Sequence, residues 1–86
     1  MTTQLSEDYL LFQDSSKSDE ERINAFIRYN EQDIIRYQKQ QEFWEIRGGA
    51  VAEIMIEFFT KSIESSLRAI MRSRLELNRG AEKHVK

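Results

Sequence analysis

The chain has 86 residues, with no cysteine, no proline, 33 % charged residues and a formal net charge of −2. That length means one domain, too small to bury a large core on its own, and the lack of cysteine excludes disulfides and thiolate metal sites as its reinforcement. The near-neutral balance gives no global pull toward nucleic acid or an anionic membrane, and the lack of proline favours long helices over a turn-rich β fold.

Residues 1–17 read as an N-terminal arm. Its opening, MTTQLSEDY, has neither a basic region nor an apolar core, so it does not read as a secretory signal. Leu5, Tyr9, Leu10, Leu11 and Phe12 form one apolar cluster, which favours a docking segment over a free tail. Ser6 followed by Glu7 and Asp8 suits the start of a short helix, because a serine cap and early acids match the helix dipole. Asp14-Ser15-Ser16-Lys17 reads as a linker.

A long helix is predicted from Ser18 to Arg47. Ser18-Asp19-Glu20-Glu21 has the form of a capping box. Ile23, Ile27, Asn30, Ile34, Tyr37, Gln41 and Trp44 follow at alternating spacings of four and three, which keeps one stripe on one face. Gly48-Gly49 reads as a turn, because two glycines inside a continuous helix would cost about 2 kcal/mol relative to alanines. A second helix is predicted over 50–78, with a stripe of Ala52, Ile56, Phe59, Ile63, Ser66 or Leu67, Ile70 and Leu77, widened by Met55 and Met71. Gly80 reads as its stop and 81–86 as a charged tail, so the hairpin unit spans 18–80.

The fold expected is all-α: an antiparallel hairpin of two long helices with a short helical arm, completed by oligomerisation into a helical bundle. The charges point the same way. Residues 1–21 carry one basic and six acidic groups, and residues 61–86 carry seven basic and three acidic. A hairpin brings Asp19, Glu20 and Glu21 toward Arg72, Arg74 and Arg79, whereas a straight rod would hold them about 85 Å apart. The stripes match across it, with Trp44 facing Ala52, Tyr37 facing Phe59, Ile34 facing Ile63 and Ile27 facing Ile70.

No arrangement for catalysis is visible. The only histidine, His84, stands in the predicted tail, and no glycine-rich phosphate loop is present. Glu42, Glu45, Glu53 and Glu57 cluster near the turn, but without a Glu-x-x-His pair they read as solvated carboxylates, so neither a metal nor another cofactor is expected. The longest apolar stretch, from Ala50 to Phe59, is too short to span a bilayer and contains two glutamates.

The seam leaves apolar residues over: Phe26, Ile35, Phe43 and Ile46 in the first helix, Ile54 and Phe58 in the second. Two helices cannot bury all of these, and Phe43, Ile46, Ile54 and Phe58 are the expected protein interface. The expected function is a non-enzymatic cytoplasmic interaction module, an adaptor, chaperone-like or regulatory subunit that pairs with itself or with another helical protein. Two other readings stand beside it. Lys61, Arg68, Arg72 and Arg79 form a basic line on one helix face, which would suit a small nucleic-acid-associated regulator. A filament or ring subunit would result if the leftover apolar face met a different patch of the next copy.

Overall fold

Serine caps set where the first two helices begin. In a computed structural model that describes the backbone of residues 6–84 and the side chains of residues 6–80, three helices follow one another: α1 (Glu7–Gln13), α2 (Asp19–Arg47) and α3 (Ala50–His84). No strand occurs among the described residues. At α1, the Ser6 hydroxyl accepts the Tyr9 N–H at 3.1 Å, and Glu7 and Asp8 occupy the positive first turn. At α2, the Ser18 hydroxyl accepts the Glu21 N–H at 3.2 Å. Between them Asp14 folds the linker back on itself: its carboxylate accepts both the Ser16 N–H at 3.0 Å and the Ser16 hydroxyl at 2.6 Å. Those two bonds favour the charged form and hold the Asp14 carboxyl below its usual range.

The turn is a glycine turn. Gly48 takes φ 71° and donates its N–H to the Trp44 carbonyl at 2.9 Å, and Gly49 takes φ 95°. Side chains rarely adopt this left-handed region, so these two positions end α2 and reverse the chain. α3 then packs back on α2. Ile27, Asn30, Ala52, Ser66, Ile70 and Ser73 are buried along the seam. The Tyr37 and Phe59 rings meet at 5.8 Å, and the Gln41 amide donates across to the Thr60 hydroxyl at 2.7 Å. The expected antiparallel pairing is thus formed, and Gln41 ties it at one level. Asn30 is buried too, but its amide donates to Phe26 of its own helix at 2.8 Å.

Four expectations need correction. α3 does not stop at Asn78 or Gly80. It runs on to His84, because a lone glycine costs a helix only about 1 kcal/mol and Ala81, Glu82 and Lys83 are good helix formers. Residues 81–84 are therefore helical, not tail. The seam takes Ser66 and leaves Leu67 48 % exposed, and Met71, at 63 %, lies off it. The acidic start of α2 forms no ion pair with Arg72, Arg74 or Arg79 among the described residues. The charges instead pair along helices, Arg79 with Glu76 at 2.9 Å and Lys61 with Glu57 at 3.2 Å, where a neighbour one turn away competes with a partner on another helix.

The arm is a docked helix. α1 lies against α2, and among the described residues it makes no contact with α3. Phe12 meets Phe26 at 5.2 Å and Tyr29 at 5.5 Å, and Tyr9 meets Tyr29 at 5.6 Å. The Arg22 guanidinium donates to the Phe12 carbonyl at 3.0 Å, and Arg28 pairs with Asp8 at 2.9 Å. Ala25, beneath this contact, is fully buried. Leu5, the remaining member of the expected cluster, lies outside the described residues.

Helices joined side by side in this way make a slab. The Cα extents are 57 × 32 × 13 Å, so the molecule is little more than one helix thick. Among the described residues no large side chain is completely buried. Stable domains are normally built from at least two packed layers, and this one presents a single layer.

Candidate protein-interaction surface

The antiparallel seam fixes which residues share a side. Because α2 and α3 run in opposite directions, the residue just before a seam position falls on the same side of the hairpin in both helices. On that side, here called the front, lie Phe26 and Tyr29, and toward the turn Phe43, Val51, Met55 and Phe58. α1 covers Phe26 and Tyr29. Among the described residues nothing covers the turn end, where Phe43 is 51 %, Val51 63 % and Phe58 57 % exposed. Here α2 and α3 stand without α1, and Phe43 stacks only on neighbouring Trp44 at 5.2 Å while Phe58 stacks only on neighbouring Phe59 at 5.3 Å. The Arg47 guanidinium sits 5.7 Å from the Trp44 ring centre and borders this apolar area.

Of the four expected interface residues, the front brings Phe43 and Phe58 to one side. Ile54, 66 % exposed, lies two positions from the seam and borders the front on the outer flank of α3. Ile46, 88 % exposed, lies on the outer flank of α2, away from the other three. Val51 belongs to the surface and was missed in the sequence, where it reads as part of an evenly apolar run. Its position just before the seam residue Ala52 is the signal that places it.

The opposite side, the back, has a different chemistry. Residues that follow seam positions are Glu42, Glu45, Glu53, Glu57 and Glu64 toward the turn, then the exposed Leu67 and Met71 toward the open end. No group of acidic and histidine side chains with the geometry to hold a metal ion occurs among the described residues.

The basic line lies on the outer flank of α3. Lys61, Arg68 and Arg79 are exposed there, and Arg72, just before the seam residue Ser73, is exposed where this flank meets the front. Lys61 and Arg79 are neutralised by Glu57 and Glu76 on the same helix, while Arg68 and Arg72 have no carboxylate within ion-pair distance among the described residues. The side chains of Lys83 and His84 lie outside the described residues. No helix among the described residues is long and apolar enough to cross a membrane. Compared with protein-family models, with curated proteins and with solved structures, the chain matches none.

Proposed function

We propose that this chain is a non-enzymatic helical interaction module, an adaptor, chaperone-like or regulatory subunit, whose partner is a helical protein held on the front at the turn end. The observation that carries this reading is the bare set Phe43, Val51, Ile54 and Phe58 on a slab one helix thick. A fully exposed large apolar side chain gains about 1.5–3 kcal/mol on burial, so covering four that are half exposed or more is enough to drive association against its entropic cost. α1 supplies an internal precedent: a short amphipathic helix already docks on the same hairpin through aromatic contacts. The cytoplasm is the proposed compartment, since a cysteine-free chain has no need of an oxidising one.

Two variants test the reading. Phe58→Asp places a charge on the exposed front and is expected to keep helix content while releasing the partner. Ile63→Asp places a charge in the seam and is expected to lose helix content itself, by circular dichroism. A Phe58→Asp protein that retains every association of the wild type would sink the proposal. A second reading rests on Arg68 and Arg72, whose charge is not neutralised nearby: non-specific binding of nucleic acid by the outer flank of α3. It requires affinity that falls steeply with salt and weakens on Arg68→Gln with Arg72→Gln. No binding at low salt to either single or double strands would dispose of it.

A further inference from the structure

We infer that the partner held on the front is an acidic amphipathic helix, lying in the groove between the turn ends of α2 and α3. This rests on the proposed function and states the chemistry of the partner for the same surface. Charge is divided between the two sides of the slab. The back at the turn end carries Glu42, Glu45, Glu53, Glu57 and Glu64, with no basic residue among them. The front is the reverse. On α2 from Arg36 to Arg47, and on α3 from Val51 to Leu75, neither the front nor the outer flank carries an acidic residue.

The cations on this side border the apolar set. Lys39 lies two positions before the seam residue Gln41, and Lys61 and Arg68 lie two positions before Ile63 and Ile70, so all three stand on outer flanks beside the front. Arg47 closes the turn end. All four are exposed. Lys39, Arg47 and Arg68 have no carboxylate within ion-pair distance among the described residues, and the Lys61–Glu57 pair, exposed on both sides, offsets Lys61 only weakly. A partner that fits must bring apolar groups to Phe43, Val51, Met55 and Phe58 and carboxylates around them, while a basic partner is repelled.

Shape selects a helix. Two antiparallel helices leave a groove that a third cylinder fills and a flat bilayer does not. The net charge of −2 also gives no long-range pull to an anionic bilayer. From Val51 to Ser62 the groove is about 17 Å long, or about three turns of helix. A third helix there begins the second layer that the slab lacks. α1 shows the same chemistry at the other end of α2. It is acidic and aromatic, and it docks through Phe12 on Phe26 and Tyr29 and through Asp8 on Arg28. Asp8 lies level with Arg28 and Gln32, which leaves the front of α2 from Arg36 to Arg47 bare among the described residues.

Two stapled helical peptides of about three turns test the inference. Both carry leucine at i, i+3, i+4 and i+7. The other positions are glutamate in one and lysine in the second. By fluorescence anisotropy the acidic peptide is expected to bind at least about tenfold more tightly, and to weaken steeply with salt. Lys39→Glu with Arg47→Glu is expected to reverse the preference, an outcome that loss of structure would not give. Glu45→Lys, on the back, is expected to leave it unchanged. Equal binding of the two peptides, binding of neither, or a preference unmoved by the double variant would overturn the inference. Binding of phosphatidylserine vesicles without binding of the acidic peptide would overturn it in favour of a lipid surface. A preference for the basic peptide that is lost on Phe58→Asp would overturn the charge and leave the broader function standing. A Phe58→Asp protein that binds both peptides as well as the wild type would overturn both.

Discussion

Replacing Phe12 with alanine should detach α1 and leave the hairpin intact. Phe12 is half-buried, so its removal forfeits about 1–1.5 kcal/mol of apolar burial. Its edge contacts with Phe26 and Tyr29 add about 0.5–1.5 kcal/mol each. The expected loss is therefore about 2–4.5 kcal/mol of docking energy. What remains is small. The Arg28–Asp8 pair is half exposed on the arginine side and contributes about 0.5 kcal/mol, and the bond from Arg22 to the Phe12 carbonyl survives only while α1 stays in place. A seven-residue helix is far too short to persist undocked. Helical ellipticity should fall by about a tenth, and amides of residues 9–13 should lose protection in hydrogen exchange. Amides of α2 beyond Tyr29 and of α3 should keep theirs, because α1 makes no contact with α3 among the described residues. Loss of protection along all three helices together would show that the arm belongs to a single cooperative unit with the hairpin, and the layered reasoning would be wrong.

Other expectations concern the backbone and pH. Gly48→Ala should destabilise the hairpin by about 1 kcal/mol in urea unfolding, because it forces a side chain into φ 71°. Gly80→Ala should instead stabilise by a few tenths to about 1 kcal/mol, because Gly80 is helical and an added methyl meets nothing within 4 Å. The Tyr29 hydroxyl is pushed above its usual range, first by burial under α1 and then by the nearby Asp33 charge. Its folded pKa lies above the unfolded value of about 10, so its contribution is complete below pH 10 and lost as pH rises through the folded value. Ultraviolet titration should show a late tyrosine in the wild type, and Phe12→Ala should bring it back toward normal.

Much of this architecture is legible along the chain because it depends on local rules. Ser6 and Ser18 announce their helices, Gly48-Gly49 announces the reversal, and the four-three spacing from Ile23 to Trp44 announces the seam. What the sequence misplaced depends on competition between local and distant partners. Asp19, Glu20 and Glu21 have the right charge for the basic end of α3, yet Arg79 finds Glu76 one turn away. Gly80 looks like a stop, but it stays within α3 and takes no positive φ, whereas Gly48 takes φ 71° at the end of α2. Phe26 and Phe12 are each recognisable as unsatisfied apolar groups, but their pairing depends on how the linker folds around Asp14. The expected patch is exposed residue by residue, while its shape depends on the handedness of the pairing. That handedness sets Phe43, Val51 and Phe58 on one side and Ile46 on another.

The claim that the front at the turn end meets protein can be read from the two aromatic rings themselves. Fluorophenylalanine placed at Phe43 and Phe58 reports, by fluorine resonance, each ring's access to a soluble paramagnetic reagent. With the chain at its working concentration in cell extract, both rings should be shielded well beyond what the single chain provides, where they are 51 % and 57 % exposed. Both rings remaining as open to the reagent as in the dilute, purified chain would contradict the account.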